Sequence, residues 1–199
     1  MTQVFQGLDM NASAEVAFKL KCDTQSLSFY SEIAVYIANN IAGFDRLTVL
    51  DVGARTAAGT ALLRAVFHPE SFSRLKFTSV TALDLDANAL AQAKLEYPDL
   101  EYIAEDVGLF AGIRSWDLVM ASHTIEHVPD PDAFIGYLEA VATKYILIAC
   151  PIYEDNLATG HSNRFTLDFF ERHKFTNVIA FRSLHWHGGL ACLAIKKLA

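Results

Sequence analysis

A chain of 199 residues, 52% of them apolar, fits one domain with a sizeable core. Its net charge of −7 and the absence of a Lys/Arg stripe argue against nucleic acid as a partner. No apolar run approaches the length of a membrane span, and the first ten residues lack the basic region and apolar core of a secretory leader. Cys22, Cys150 and Cys192 stand far apart with no CxxC spacing, and read as reduced thiols of a cytoplasmic protein.

The chain opens with a helical segment over residues 10–42, a cap segment (1–45) ahead of a core (46–199) in one domain. Its clearest part is 24–42, where Tyr30, Ile33, Ile37 and Ile41 recur at helical spacing and Gly43 follows as a stop. Strand-like runs then fall at 47–52, 77–84, 100–104, 116–121, 144–150, 176–182 and 189–196. Between most of them lie helical patterns at 58–67, 86–95, 132–142 and 167–173. Such alternation predicts an α/β fold with a doubly wound, mostly parallel sheet and helices on both faces. The last two strand-like runs are too close for a crossover helix and predict an antiparallel C-terminal hairpin at one edge.

Residues 49–60, Val-Leu-Asp-Val-Gly-Ala-Arg-Thr-Ala-Ala-Gly-Thr, read as a buried strand that turns through small residues into a helix. This arrangement brings backbone N–H groups to a ligand at the sheet's carboxyl edge. Only Gly53 and Gly59 are present, with Arg55 where G-x-G-x-x-G would place its second glycine, and the chain has no Tyr-x-x-x-Lys pair. Both features disfavour a pyrophosphate ligand and a nicotinamide oxidoreductase. Asp84 ends the second strand, where a carboxylate can accept both hydrogens of a ribose diol, while Asp86 is better placed to cap the following helix. After the third strand, Asp106 either meets an adenine amine or is a surface loop acid.

The fourth strand and its exit read Trp-Asp-Leu-Val-Met-Ala-Ser-His-Thr-Ile-Glu-His-Val-Pro-Asp-Pro. With these four motifs in order, the chain resembles the class I S-adenosylmethionine-dependent methyltransferases, in particular the small-molecule type 11/12 group, from about Leu47 through Cys150. The resemblance implies a Rossmann-like seven-stranded sheet with its last strand antiparallel, and S-adenosylmethionine as cofactor. It implies that Asp51 and Gly53 lie beside the methionine part and that Asp84 holds the ribose. Asp106 and Val107 would meet adenine, and Ser122 and His123 would close over the sulfonium side. Thr60 and Leu85 join this implied cofactor set. Arg55 and Ala57 depart from the pattern at positions where the family usually has glycine. Arg55 would face either the methionine carboxylate or Asp51.

Because the sulfonium is intrinsically reactive, the protein's main task is alignment of acceptor, methyl and sulfur. A base is needed only for a protonated nucleophile such as an alcohol. The loop 151–165 at the functional edge supplies His161 as general base or acceptor-orienting group, with Tyr153, Asn163 and Arg164 shaping the pocket. The competing reading is a helix entry capped by Thr166. His123 and His127 are four apart but flank a strand exit, and Glu126 stands outside an H-E-x-x-H frame. The family resemblance implies that Glu126 and His127 are loop-stabilising residues, and no metal is expected. His185 and His187 could share a strand face, although a surface hairpin with Trp186 packed on the sheet fits better, and Phe165, Phe169, Phe170 and Phe175 read as core. The leading expectation is methyl transfer to a small-molecule, sugar or lipid-linked acceptor, most readily at oxygen, by a monomer or homodimer. The alternative is a cofactor-binding protein that has lost transfer chemistry.

Overall fold

A computed structural model describes residues 10–41 and 43–198 of the protein, with side chains described from residue 19 onward. The expectations for the leader-free start, for residue 42 and for the terminal Ala199 lie outside the described residues.

Seven strands form one sheet: β1 (Arg46–Val52), β2 (Lys76–Leu83), β3 (Glu101–Ile103), β4 (Trp116–Ser122), β5 (Ala142–Ile152), β6 (Thr176–Phe181) and β7 (Leu190–Lys197). Their spatial order is β3-β2-β1-β4-β5-β7-β6. The first five strands are parallel, and β7 runs antiparallel to both β5 and β6. The hairpin expected from the short β6–β7 spacing is present, with β7 rather than β6 inserted next to β5. Strand β5 begins two residues before the sequence run and ends two after it, because its apolar stretch continues through Pro151 and Ile152 against β7.

The period of two sorts the strand residues onto two faces. On one face Leu47, Val49, Leu118, Met120, Leu147 and Ala149 meet α1 (Met10–Asn40), α2 (Ala58–Val66) and α3 (Ala87–Glu96) through Tyr30, Ile33, Ile37, Leu63 and Leu90. On the other, Leu50, Val52, Val119, Ala121, Ile146 and Ile148 meet α4 (Pro131–Val141) and α5 (Leu167–Arg172). Phe165, Phe169, Phe170 and Phe175 pack edge to face within this second layer, as core residues. Cys150 faces Cys192 across β5 and β7, and all three cysteines are free and buried. Burial raises the Cys150 thiol well above its usual range and Cys192 to about 12, so both act as small hydrophobes. Among the described residues, no helix is long and apolar enough to cross a membrane.

The crossover from β1 passes through α2 on one face and that from β4 through α4 on the other. The carboxyl ends of β1 and β4 therefore flank a topological switch point, where a crevice opens. The helices on the first face approach closely because Gly59 has no side chain: a Cβ there would stand 2.3 Å from the Tyr30 ring. Gly59→Ala is expected to lower stability by about 1–3 kcal/mol through overpacking. Urea unfolding checks this, and an unchanged midpoint would mean that α1 and α2 are not held at this distance.

Candidate active site

A cleft of about 780 Å³ occupies the switch point. One wall carries Gly53, Arg55, Asp84, Leu85, Asp106 and Val107; the other carries His123, Thr124, His127, Phe134 and Tyr137. The β1 exit turns at Gly53 with φ of +82°, and a Cβ there would lie 2.2 Å from Thr124 Oγ1. Glycine is thus required for both backbone and space. Arg55 and Ala57 follow at φ of 50° and 55°, so the loop keeps a glycine-type path through two residues with side chains. Each such residue costs about 1–2 kcal/mol.

This path is pinned from β2. Gly53 and Ala54 donate their N–H groups to the Leu83 carbonyl, and the Arg55 N–H donates to Asp84 Oδ2 at 2.7 Å. Asp84 Oδ1 accepts the Asp86 N–H at 2.9 Å, and Asp86 caps α3 through Asn88 and Ala89. Asp84 is partly exposed in the cleft and, as a carboxylate, retains acceptor capacity beyond these two bonds. Asp106 is both a loop acid and a cap: Oδ1 accepts the Gly108 N–H at 2.7 Å, starting a 3-10 turn over Val107–Phe110 that the sequence reading did not place.

Behind the loop, Asp51 is wholly buried on the α1/α2 side of β1. The Tyr30 hydroxyl donates to its carboxylate at 2.8 Å and the Thr60 hydroxyl at 2.5 Å. Burial raises Asp51 to about 6; the two hydroxyls pull against that rise and the charge of Asp84 adds to it. Burial and the Asp51 charge together push the Tyr30 phenol well above its usual range. Ser122 is buried at the end of β4. Asp51, Thr60 and Ser122 therefore underlie the cleft, whereas Gly53, Arg55, Asp84, Leu85, Asp106, Val107 and His123 line it.

The β4 exit is stitched to the loop after β5. The Glu126 carbonyl accepts the N–H groups of Ser162 and Asn163, the Asn163 amide donates to Val128 O, and His127 Nδ1 donates to Gly160 O at 2.9 Å. These bonds tie the two segments through the Glu126 backbone and the His127 ring, and the Glu126 side chain takes no part in them. His123, at φ of 51°, stacks on Phe29 with ring centroids 3.7 Å apart.

His161 is held by the buried Glu154, whose two oxygens both lie 3.0 Å from Nδ1. Its ring stacks on Trp186 and meets His127 edge-on at 4.9 Å. None of His161, Tyr153, Asn163 and Arg164 lines the main cleft; His161 reaches it through His127. Tyr153 is exposed, and the Arg164 guanidinium donates to Asp155 O within its own loop. Thr166 stands at the start of α5 without a side-chain cap bond. His185 and His187 are both exposed, with Trp186 packed inward between them.

The sequence reading missed two partners, Tyr30 and Glu154. Tyr30 carried a signal, as the only polar-tipped residue in the Ile33, Ile37, Ile41 stripe. Glu154 carried none, since nothing local marks it as buried.

The strand order, the glycine turn after β1 and an acid at the end of β2 define the class I methyltransferase architecture. Residues 50–144 match the family model described as a methyltransferase domain, of type 11. This segment, 95 of the 199 residues, is similar to that methyltransferase family, and the sheet around it has the same architecture. A search of curated protein sequences found no match. Among solved structures, the chain is similar to that titled DhpI-SAH complex, with 18% identity over 94% of this chain and 90% of that one and a TM-score of 0.64. It is similar to magnesium protoporphyrin IX methyltransferase (ChlM) from Synechocystis PCC 6803 with bound SAM, at 12% identity over 100% and 86% and a TM-score of 0.63. It is also similar to the N-methyltransferase NodS from Bradyrhizobium japonicum WM9, at 13% identity over 96% and 98% and a TM-score of 0.62.

The buried carboxylate gives the site a pH signature. Asp51 titrates near 6 in the folded chain against 3.8 for an ordinary Asp, so the folded state binds more protons between these values. Its contribution is fully present below pH 3.8 and is lost as pH rises through about 6, by up to ~3 kcal/mol. Asp51→Asn is expected to flatten the decline in stability over that window. Chemical unfolding of both proteins at several pH values checks this, and parallel profiles would contradict it.

Proposed function

We propose that the protein binds S-adenosylmethionine in this cleft and transfers its methyl group to a small-molecule acceptor, at a hydroxyl oxygen. The observation that carries the reading is the pair of cleft-facing acids at the ends of β2 and β3, Asp84 and Asp106, within a methyltransferase-family segment. The presence of SAH or SAM in two of the similar structures supports it.

The residues present fit such a ligand. The cleft volume suits an adenosyl amino acid, and its lining combines two acids with the apolar Leu85, Val107, Phe134 and Tyr137. Asp84 would take the ribose diol by charge-assisted bonds. Leu85 and Val107 would flank adenine, with Asp106 accepting from its amine. Gly53, Arg55 and His123 would border the methionine and sulfonium portion, above Asp51, Thr60 and Ser122. When bound, the cofactor supplies an electrophilic methyl on a sulfonium.

The chain's own residues then bind, orient and exclude water. The 151–165 loop, tied to the β4 exit, forms the acceptor side, with Tyr153, Asn163 and Arg164 at its rim. A hydroxyl acceptor must lose a proton. His161, with Nδ1 held by Glu154 and Nε2 left as acceptor, has the base-and-orienter arrangement for that task. The turn at Arg55 and Ala57 keeps its glycine-type course, which favours a working cofactor loop over a closed one.

Calorimetric titration with S-adenosylhomocysteine tests the reading. Asp84→Ala is expected to weaken binding by about 10- to 100-fold, the scale of one charge-assisted hydrogen bond, with Asp84→Asn falling between. Tighter binding of nicotinamide dinucleotide than of S-adenosylhomocysteine would contradict the proposal, as would a parent protein that binds neither.

A further inference from the structure

We propose that Glu126, His127 and His161 form a site for a divalent first-row transition cation on the acceptor wall of the cleft, with coordination positions open to an oxygen of the methyl acceptor. One ligand atom from each residue lies within 4.8 Å of the other two. Glu126 is wholly buried, and neither of its carboxylate oxygens has a hydrogen-bond partner among the described residues. His123 Nδ1 lies 3.3 Å from Glu126 Oε1 but directs no hydrogen bond at it, its ring being fixed against Phe29. A buried, unsatisfied carboxylate is costly, and a cation is the partner that removes the cost.

The hydrogen bonds around the two histidines prepare both rings for ligation. A carbonyl oxygen can only accept, so His127 Nδ1, bonded to Gly160 O, must carry the proton. The Glu154 carboxylate fixes the proton on His161 Nδ1 in the same way. Each ring therefore turns Nδ1 to a fixed acceptor, a backbone carbonyl for His127 and a buried carboxylate for His161, and leaves Nε2 as the nitrogen that can ligate. This is the outer-shell pattern of metal-bound imidazoles.

Two imidazole nitrogens and one carboxylate suit a first-row divalent ion and leave positions open. Ligands draw in to about 2.0–2.2 Å of such an ion, so the three groups close on it from their present spacing when it binds. Glu126 is sealed and His127 lines the cleft, so the open side faces the cleft. The sequence expectation of no metal weighed His123 with His127; the third ligand comes from the loop after β5, which only the fold brings near.

What fills the open positions rests on the methyl-transfer reading above; cation binding itself does not. An acceptor hydroxyl ligated there releases its proton to solvent more readily. Its oxygen lone pair then forms the bond to the methyl carbon, as the carbon–sulfur bond breaks with its electron pair remaining on sulfur. His161 in this state is a ligand rather than a free base.

Titration of the chelator-stripped full chain with Co²⁺ tests the site, read by visible d–d absorption in the absence of any methyl donor. The expected result is one ion per chain, displaced by Zn²⁺. His127→Ala and Glu126→Gln should weaken binding at least tenfold, whereas a His185→Ala/His187→Ala double variant should bind as the parent does. Zn²⁺ should also raise the Tm of the parent and not that of His127→Ala, whose exposed ring can be removed without unfolding the chain. Absent d–d bands in the parent, unchanged affinity in His127→Ala, or loss of binding in the double variant would overturn the proposal. Since S-adenosylhomocysteine binding is measured separately, failure of the cation site and failure of the cofactor reading are distinguishable.

Discussion

The buried carboxylate of Asp51 is the point on which the arrangement of this protein turns. It is the third residue of the inward row Leu47, Val49, Asp51, and it sits wholly buried where an apolar side chain would otherwise continue the core. The Tyr30 and Thr60 hydroxyls bring α1 and α2 to the end of β1 in order to satisfy it. Without those donors the group would stand uncompensated in the interior. Gly59 follows from the same constraint, because only a residue without a side chain lets α2 lie against the Tyr30 ring. One polar atom group thereby fixes how the N-terminal helix and the first crossover helix meet beneath the cleft.

Above that floor, the cleft has two walls of different chemistry. The β1–β2–β3 wall is a set of backbone turns secured by acids, with Asp84 tying the Arg55 and Asp86 N–H groups and Asp106 tying that of Gly108. The β4–β5 wall is a histidine-rich surface stacked on aromatics, with His123 on Phe29 and His161 on Trp186. Acidic acceptors on one side suit a polyhydroxy nucleoside with a cationic sulfur. Nitrogen ligands with buried carboxylates behind them, on the other side, suit an oxygen nucleophile or the ion that activates it.

Much of the fold was legible in the sequence because it is written in local signals. The alternation of strand and helix patterns gave the parallel sheet, the short β6–β7 spacing gave the hairpin, and the Asp86 cap is used as read. The turn at Gly53 was legible as well, since the strand breaks there into small residues. What was not legible depends on contacts distant in sequence. Tyr30 reaches Asp51 across 21 positions, and His127 reaches the carbonyl of Gly160 across 33. The position of Glu154 under His161 has no local periodicity, and the 3-10 turn after Asp106 is too short to leave one. Asn163 and Arg164 lie in the loop after β5, where their side chains bond to backbone carbonyls rather than line the main cleft.

The account stands or falls on whether the crevice between β1 and β4 receives an adenosyl ligand with its sugar on β2. A crystal structure of the protein grown with S-adenosylhomocysteine measures this directly. It should show the ribose hydroxyls within hydrogen-bond distance of Asp84 and the base against Leu85 and Val107, with the sulfur toward His123. Ligand density elsewhere, such as the groove between α1 and β6, or a ribose that leaves Asp84 facing solvent, would contradict it.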